Sequence, residues 1–385
     1  MTAPSDSVLL GSAVLPTYAR ADVTFVRGDG CRVWDADGRE YLDFVAGIAV
    51  VGLGHGHPGP LAAAHAQLDR LWHVSNLYWS EPMLELATKL SARFGGAQAF
   101  FCNSGAEAIE AALKYARKAT GKPGVVALDG SFHGRTTGAL AATGQPGKRA
   151  AFEPLLPGVT FVAPNDAESL ARAAGDGTGL ILLEPVLGEG GIRPLEPGFL
   201  AAARGLADEL GALLAFDEVQ TGVGRTGTFF AFEQAGVEPD LVTLAKGLAN
   251  GLPIGCLLAA DAAPRGFEPG DHASTFGGNP VVCAAACAVV DAVDEELLAN
   301  VRAAGERLAA ELAGLPGVTD VRGRGLLLGA ELDRPVAPIV DDCRAAGLLV
   351  LSAGETVLRL TPPLTVAPAD VDRALATLAE VLASA

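Results

Sequence analysis

The stretch LVTLAKGLANGLPIG, residues 241–255, places a lysine where the pattern predicts the end of a buried strand. Residues 241–245 form a mainly apolar run, and the glycines and proline after Lys246 predict a turn. Lys246 is one of six lysines among 28 basic residues, so it departs from the chain's preference for arginine. Such a lysine either joins a structural ion pair or is an amine whose pKa is lowered by burial, which makes it a nucleophile.

Similar strand patterns recur along the chain and alternate with amphipathic helical stretches or turns. The other candidates lie at residues 99–102, 124–128, 159–163, 180–184 and 212–217. This alternation predicts an α/β fold with a largely parallel sheet covered by helices. Residues 23–44 contain the turn signals GDG and DADG and predict an N-terminal antiparallel meander.

The chain has 385 residues, 50% of them hydrophobic, which is enough for two domains with a large core. The breakers in PRGFEPGDH predict a boundary, and mixed helix and strand patterns after about residue 280 predict a smaller α+β domain. We therefore expect an N-terminal segment at 1–45 that packs with the small domain, a large domain at 46–270 and a C-terminal small domain at 271–385.

Composition argues against several function classes. A net charge of −17 disfavours general affinity for nucleic acid or anionic membranes, because both need a basic surface. Small-molecule substrates fit better. The chain shows neither a signal-peptide pattern nor a long uninterrupted apolar segment, so we expect a cytoplasmic protein. The six scattered cysteines indicate buried thiols, and Cys283 with Cys287 lack the further ligands of a zinc site, so no metal is expected.

Three consecutive strand candidates end in an ionisable residue: Glu184, Asp217 and Lys246. Ligands of open α/β sheets bind outside the carboxyl ends of the strands. One such charge is compatible with a structural role, but three at one edge predict a binding site.

A further strand candidate runs through Asn103, Ser104 and Gly105 into a strongly amphipathic helix. Ser104 and Glu107 form a capping box, which by itself indicates ordinary helix capping, but the free N–H groups of a helix N-terminus also bind phosphate. Phosphate site, carboxylate and lysine together meet the needs of pyridoxal phosphate. Its pyridine nitrogen is kept protonated by a carboxylate and its aldehyde is held by a lysine.

Several motifs make a family resemblance specific. They are FCNSGAEA (101–108), SFHGRT (131–136), EPVLGEGG (184–191), FDEVQTGVGRTG (216–227), LAKGLANGLPIG (244–255), HASTFGGNP (272–280) and GREYLDFVAGIAVVGLGHGHP (38–58). In this order they resemble the class III pyridoxal-phosphate aminotransferases, from about residue 15 to the C-terminus. Tyr18, SNLY (75–78) and SFHGR are most similar to the acetylornithine/ornithine group. The resemblance implies fold type I, with a mostly parallel seven-stranded sheet between helices.

The resemblance also implies a role for each cofactor residue. Lys246 matches the lysine that holds the cofactor covalently and moves the proton, and Asp217 matches the partner of the pyridine nitrogen. Gln220 is implied at the 3-hydroxyl, and Phe132 on the pyridine ring. The implied phosphate ligands are the amides of Gly105 and Ala106, with Ser104 as a weaker candidate. Thr275 is implied to reach the phosphate of the neighbouring subunit, so the resemblance also implies a homodimer with its active site at the interface.

The implied substrate residues are two arginines, their counter-ion and two companions. Arg135 resembles the residue that binds the acetylornithine α-carboxylate and the glutamate side chain, and Arg359 the one that binds the glutamate α-carboxylate. Glu189 resembles a switch that neutralises Arg359; Tyr18 and Ser274 are further candidates. The implied ping-pong reaction moves the terminal amino group of N2-acetyl-L-ornithine to 2-oxoglutarate in arginine biosynthesis.

Alternatives remain open at this point. Ornithine, succinylornithine, 4-aminobutyrate and lysine-biosynthetic aminotransferases share the cofactor. GVGRTG (222–227) matches the nicotinamide fingerprint, which would suit an oxidoreductase, but no helix signature follows it. A cofactor-free binding protein would have no need of Lys246. His133 and His272 could be bases, although Lys246 already supplies proton transfer and favours structural roles for them.

Three positions depart from the class pattern. Leu187 stands where the class usually has Gln, Ile109 where many relatives have Asn, and Ala249 where Gly is common. None carries an implied cofactor role, but Leu187 removes a polar group near Glu189.

Overall fold

The computed structural model describes residues 13–384, and a seven-stranded sheet forms its centre. From one edge to the other the strands are Gln98–Cys102, Gly255–Ala259, Leu241–Leu244, Leu213–Asp217, Thr178–Leu183, Gly124–Leu128 and Val159–Val162. All six strand candidates of the central sheet are present within a few residues of their expected bounds. The mostly parallel sheet and the α/β class are confirmed.

One strand of this sheet runs against its neighbours. Gly255–Ala259 pairs antiparallel with both Leu241–Leu244 and Gln98–Cys102. It begins directly after the turn that follows Lys246, so the chain reverses and returns beside the strand that it has just left. The remaining neighbours are parallel, and Asp217 pairs in register with Thr243. The carboxyl ends of the parallel strands therefore meet at one edge.

Helices cover both faces of the sheet. Their bounds are Pro58–Leu68, Glu81–Arg93, Gly105–Thr120, Thr137–Ala141, Pro146–Arg149, Ala167–Ala173, Pro197–Leu210, Pro280–Ala292, Glu295–Leu312, Val336–Ala345 and Pro368–Ser384, with a short irregular turn at Ala46–Ala49. In Gly105–Thr120 the apolar side chains lie on one face, and Ile109, Ala112 and Ala116 are buried against the sheet. Single turns of 3-10 helix occur at Ala150–Phe152, Ala231–Ala235 and Lys246–Ala249. Among the described residues, no helix is long and apolar enough to cross a membrane.

Smaller sheets lie at the two ends of the chain. One sheet joins Phe25–Asp29, Arg32–Asp35 and Glu40–Asp43 to Leu348–Leu349. A second sheet joins Val318–Arg324, Leu327–Leu332, Val357–Leu360 and Leu351–Ser352. A two-stranded ribbon is formed by Val186–Leu187 and Arg193–Pro194. The expected N-terminal meander is therefore present.

The packing of the core follows two main clusters. One includes residues of the central sheet and of Pro280–Ala292, which packs on Pro58–Leu68 and Glu81–Arg93. The other joins Leu42 and Phe44 to side chains from Val301 onward. The division of the chain at 45 and 270 stays a prediction.

Candidate functional site

A cavity of about 440 Å³ opens at the carboxyl edge of the central sheet. Nine of the residues singled out from the sequence line it together: Ser104, Gly105, Ala106, Phe132, Arg135, Glu189, Asp217, Gln220 and Lys246. They come from five separate stretches of chain, which the parallel strand order brings to the same edge.

Lys246 follows the strand Leu241–Leu244 and begins a single 3-10 turn. Its backbone has φ +33°, a left-handed value that a lysine rarely adopts. The amine forms no hydrogen bond with any residue of 13–384, and it lines the cavity. Burial, followed by the charge of Arg359, lowers the pKa of Lys246. The cavity is therefore lined by an amine whose pKa is lowered and which has no hydrogen-bond partner in the described chain.

Asp217 is buried at the end of its strand and has a partner on each carboxylate oxygen. Oδ1 accepts hydrogen bonds from the Val219 amide (3.0 Å) and the Thr243 hydroxyl (3.3 Å). Oδ2 lies 2.7 Å from Nδ1 of His133. Burial alone would lower the pKa of His133, but the hydrogen bond and charge of Asp217 raise it. Within the described chain, Nε2 of His133 is buried without a hydrogen-bond partner.

The helix Gly105–Thr120 points its N-terminus at the cavity. The Ser104 side chain accepts from the Glu107 amide at 3.2 Å, which is one half of the expected capping box. The Glu107 side chain accepts from the amide of Asn103, one residue before the N-cap, and not from that of Ser104. The N–H groups of Gly105 and Ala106 have no intrahelical acceptor. A Cβ on Gly105 would lie 2.8 Å from Cγ1 of Val219, so only glycine fits without displacement. This corner of the cavity suits a phosphate.

Phe132 is held in place through its backbone. Its amide donates to Oε1 of Glu184 at 2.7 Å, and Oε2 of the same side chain accepts from the Gly188 amide at 3.0 Å. Burial raises the pKa of Glu184 to about 7. Arg135 is exposed, lines the cavity and places its guanidinium carbon 5.7 Å from the centre of the Phe132 ring.

Arg359 does not itself line the cavity, but it forms an ion pair with Glu189, which does. Nη1 of Arg359 lies 2.6 Å from Oε1 of Glu189, 3.2 Å from the Gly188 carbonyl and 3.4 Å from Oε1 of Gln220. The Arg359 side chain is only 4% exposed, whereas that of Glu189 is 25% exposed. Burial would raise the pKa of Glu189, but the charge and hydrogen bond of Arg359 lower it. A buried cation is thus neutralised by an acid that retains access to the cavity.

Three candidates lie away from this cavity within the described chain. Tyr18 is exposed, as is Thr275. Ser274 and Thr275 line a different cavity of about 710 Å³. The two cavities adjoin at Asn103, which lines the first and donates to Oγ of Ser274 at 3.2 Å. The roles given to these three residues stay predictions.

The sequence interpretation overlooked three contacts. His133 was expected to be structural, and its contact with Asp217 was not anticipated. Glu184 was recognised only as a strand-end charge, and Lys148, which lies 3.6 Å from Glu189, was given no role. Position at a strand end was a usable signal for Glu184, whereas no local pattern marks Lys148.

The cavity fits pyridoxal phosphate and not a dinucleotide. An amine without a partner, a buried carboxylate and free helix N–H groups suit the aldehyde, the ring nitrogen and the phosphate, respectively. The GVGRTG segment, by contrast, forms consecutive turns. Gly224 and Gly227 have positive φ within those turns, and no helix of the described chain begins there to receive a pyrophosphate.

Comparison with known proteins agrees with this geometry. Residues 16–382 match the family model "Aminotransferase class-III". Acetylornithine aminotransferase of Corynebacterium efficiens is 48% identical over 96% of this chain and 95% of its own. N-acetylornithine aminotransferase of Stenotrophomonas maltophilia superposes with a TM-score of 0.84 at 38% identity, covering 98% of both chains.

The ornithine aminotransferase of Toxoplasma gondii, a structure with partial occupancy of pyridoxal phosphate at its active site, superposes with a TM-score of 0.93. It is 30% identical and covers 98% of this chain and 93% of its own. Both the fold and the cofactor expected from the sequence are therefore confirmed. The chain belongs to the class III aminotransferases, which use pyridoxal phosphate to move amino groups.

Proposed function

We propose that this protein transfers the terminal amino group of N2-acetyl-L-ornithine to 2-oxoglutarate, giving N-acetylglutamate 5-semialdehyde and L-glutamate, within arginine biosynthesis. The observation that carries the proposal is the Arg359–Glu189 pair at 2.6 Å, whose acid lines the cavity of Lys246 together with Arg135. The names of the relatives from Corynebacterium efficiens and Stenotrophomonas maltophilia support the choice of donor.

The two half-reactions place different numbers of carboxylates in one cavity. Acetylornithine has one carboxylate, remote from the reacting amine, and Arg135 is exposed at the cavity to bind it. Glutamate has two, and its α-carboxylate needs a second cation. Arg359 supplies that cation, and Glu189 neutralises it when acetylornithine is bound, because an unpaired buried charge is costly. One acid that changes partner lets the same cavity accept both substrates.

Bound pyridoxal phosphate supplies the electron sink that stabilises the carbanion. Lys246 would hold the cofactor and carry the proton through its Nζ, which has no competing hydrogen bond in the described chain. Asp217 would keep the ring nitrogen protonated, and Phe132 would cover the ring. The remaining proposed cofactor ligands are Ser104, Gly105, Ala106 and Gln220 from the same subunit, with Thr275 from the neighbouring one.

A donor panel at saturating 2-oxoglutarate tests the substrate. Acetylornithine, succinylornithine, ornithine, 4-aminobutyrate and lysine are compared by kcat/KM, and each is also mixed with the holoenzyme alone to follow the absorbance of the cofactor. We expect acetylornithine to give the highest kcat/KM and to bleach the absorbance. If another amine is preferred while acetylornithine is silent, the proposed donor is wrong.

Substitution of the lysine tests the assigned chemistry. Lys246→Ala is expected to abolish both turnover and the absorbance of the covalently held cofactor while thermal unfolding remains cooperative. Lys246→Arg is the matched control, since it keeps the charge but cannot hold the aldehyde; it should be equally inactive. Normal turnover in either variant would refute the role of Lys246.

We also propose that the protein is a homodimer whose active site lies at the subunit interface. Five exposed side chains, four of them aromatic, form what we call the aromatic face: Trp72, Leu77, Tyr78, Trp79 and Phe276. Their exposed fractions range from 62% for Phe276 to 85% for Leu77. Several large exposed apolar side chains in neighbouring segments are typical of interaction sites. Asn76 donates to the carbonyls of Ser274 and Gly277, which ties the aromatic face to the loop that contains Thr275.

The oligomeric state tests this face. Light scattering should give about twice the chain mass of 39.1 kDa. Trp79→Glu should shift the protein toward monomer and weaken cofactor retention, whereas Phe152→Glu, at an aromatic residue that is 61% exposed outside the aromatic face, should not. A monomeric wild-type protein with full activity would refute the shared site. The cytoplasmic location stays a prediction that cell fractionation tests.

A further inference from the structure

A second cation lies against the carboxylate that pairs with Arg359. Lys148, in the four-residue helix Pro146–Arg149, places Nζ 3.6 Å from Oε2 of Glu189. Nη1 of Arg359 lies 2.6 Å from Oε1 of the same side chain. One carboxylate is thus shared by two cations, one at each oxygen.

Lys148 contacts two residues that line the cavity, Phe132 and Glu189. Its ammonium lies 4.6 Å from the centre of the Phe132 ring, and its side chain is 27% exposed. Burial, opposed by the charge of Glu189, lowers the pKa of Lys148. The amine is therefore held between an aromatic ring and a carboxylate, at a fixed place beside the substrate cavity.

The charges around Glu189 do not balance without a ligand. Lys148 and Arg359 are two cations at one acid, and Arg135 is a third cation near Lys148, so this side of the cavity suits a ligand with two carboxylates. When the α-carboxylate of glutamate reaches Arg359, Glu189 has to leave. A carboxylate that is only 25% exposed is costly to leave unpaired, so the displaced side chain needs another cation.

We propose that Lys148 receives Glu189 when a dicarboxylate occupies Arg359, and that it thereby sets the affinity for glutamate and 2-oxoglutarate relative to a donor with one carboxylate. This inference rests on the proposed function. Lys148 acts through Glu189 and is a positioning residue. Its ammonium already lies 3.6 Å from the acid, so a small side-chain rotation completes the exchange. Without Lys148, Glu189 returns to Arg359 and competes with the substrate carboxylate.

The two half-reactions of the holoenzyme separate this role from a structural one. Glutamate and acetylornithine are titrated separately against the cofactor absorbance in wild type, Lys148→Met and Lys148→Arg. Lys148→Met should raise the half-saturating glutamate concentration about fivefold, which corresponds to ~1 kcal/mol for a partly exposed ion pair. The acetylornithine value should stay the same. Lys148→Arg should restore the glutamate value, and Arg172→Gln, which removes a surface cation paired with Glu168, should alter neither.

Each other outcome overturns a specific statement. Equal weakening of both half-reactions in Lys148→Met would make Lys148 a structural residue, and an unchanged glutamate value would make it a surface charge; either result refutes the inference. If wild type responds to glutamate but not to acetylornithine, the proposed donor fails, and Lys148 is then tested against the best amine of the donor panel. A wild-type enzyme indifferent to glutamate refutes both proposals.

Discussion

Neutralising Glu189 should change the substrate preference in one direction. In Glu189→Gln the side chain keeps its size but loses the charge that pairs with Arg359 at 2.6 Å. Arg359 retains the Gly188 carbonyl at 3.2 Å and the Gln220 side chain at 3.4 Å, so its position should be preserved. The substitution therefore tests the charge of residue 189 separately from the geometry of the arginine.

The size of the effect follows from the electrostatics of the pair. Two opposite unit charges about 4 Å apart interact by ~4 kcal/mol at an effective dielectric constant of about 20. Glu189 is 25% exposed, so solvent screening reduces this value; we take about half, ~2 kcal/mol, as the free energy needed to displace Glu189 from Arg359. Removing that competition should strengthen glutamate binding by about 30-fold. Acetylornithine, which would then leave Arg359 without a neutralising acid, should bind more weakly.

Half-reaction titrations of wild type, Glu189→Gln and Glu189→Asp measure both effects. Glu189→Asp keeps the charge on a shorter side chain and should retain the wild-type order of preference. Thermal unfolding provides the control for folding. Weaker glutamate binding by Glu189→Gln, or an equal change for both substrates, would refute the reasoning that Glu189 and the α-carboxylate compete for Arg359.

Three further predictions follow from buried contacts. His133→Gln should destabilise the protein by about 3 kcal/mol at pH 6 through loss of a buried ion pair. The pKa of His133 in the folded protein lies above its ordinary value of 6.5, so that stabilisation is complete below pH 6.5 and declines as the pH rises through the folded pKa. Urea unfolding of wild type and variant at several pH values measures the difference in unfolding free energy. Gly255→Ala would drive a Cβ into the Ser104 carbonyl and should weaken cofactor affinity about tenfold, whereas Gly175→Ala, with open space around it, should not. Arg359→Met removes a cation that lowers the pKa of Lys246, so cofactor capture by the apoenzyme should shift to higher pH.

Opposite results would be informative for each. A stability loss in His133→Gln that does not vary with pH would show that His133 is uncharged in the folded protein. Equal cofactor affinity in the two glycine variants would show that the loop at Ser104 yields without cost. An unchanged pH profile in Arg359→Met would mean that burial alone sets the reactivity of Lys246.

Features set by short stretches of chain were predictable from the sequence. The strands before Asp217 and Lys246 and the helix cap at Ser104 each depend on neighbouring residues, and the structure contains all of them. Because parallel strands end at one edge, the convergence of these residues could also be anticipated. The family motifs added Arg135, Glu189 and the other site residues, which periodicity alone does not reveal.

Contacts between distant segments were not predictable in this way. His133 and Asp217 are 84 residues apart, and neither helix nor strand periodicity relates them. Lys148 stands in the short helix Pro146–Arg149, and no local pattern relates it to Glu189, which lies in a distant part of the chain. The strand Gly255–Ala259 begins directly after a turn, and its antiparallel pairing with Leu241–Leu244 becomes evident only in the structure.

The position of Thr275 outside the cavity that holds Lys246 has a genetic consequence. In the proposed dimer each active site takes its lysine from one chain and its threonine from the other. An allele defective at position 246 therefore impairs the site to which its chain gives the lysine, and an allele defective at position 275 impairs the site to which its chain gives the threonine. Mixed dimers then contain one site with both residues intact, and the two alleles should complement each other. Two alleles that both lack Lys246 should never do so.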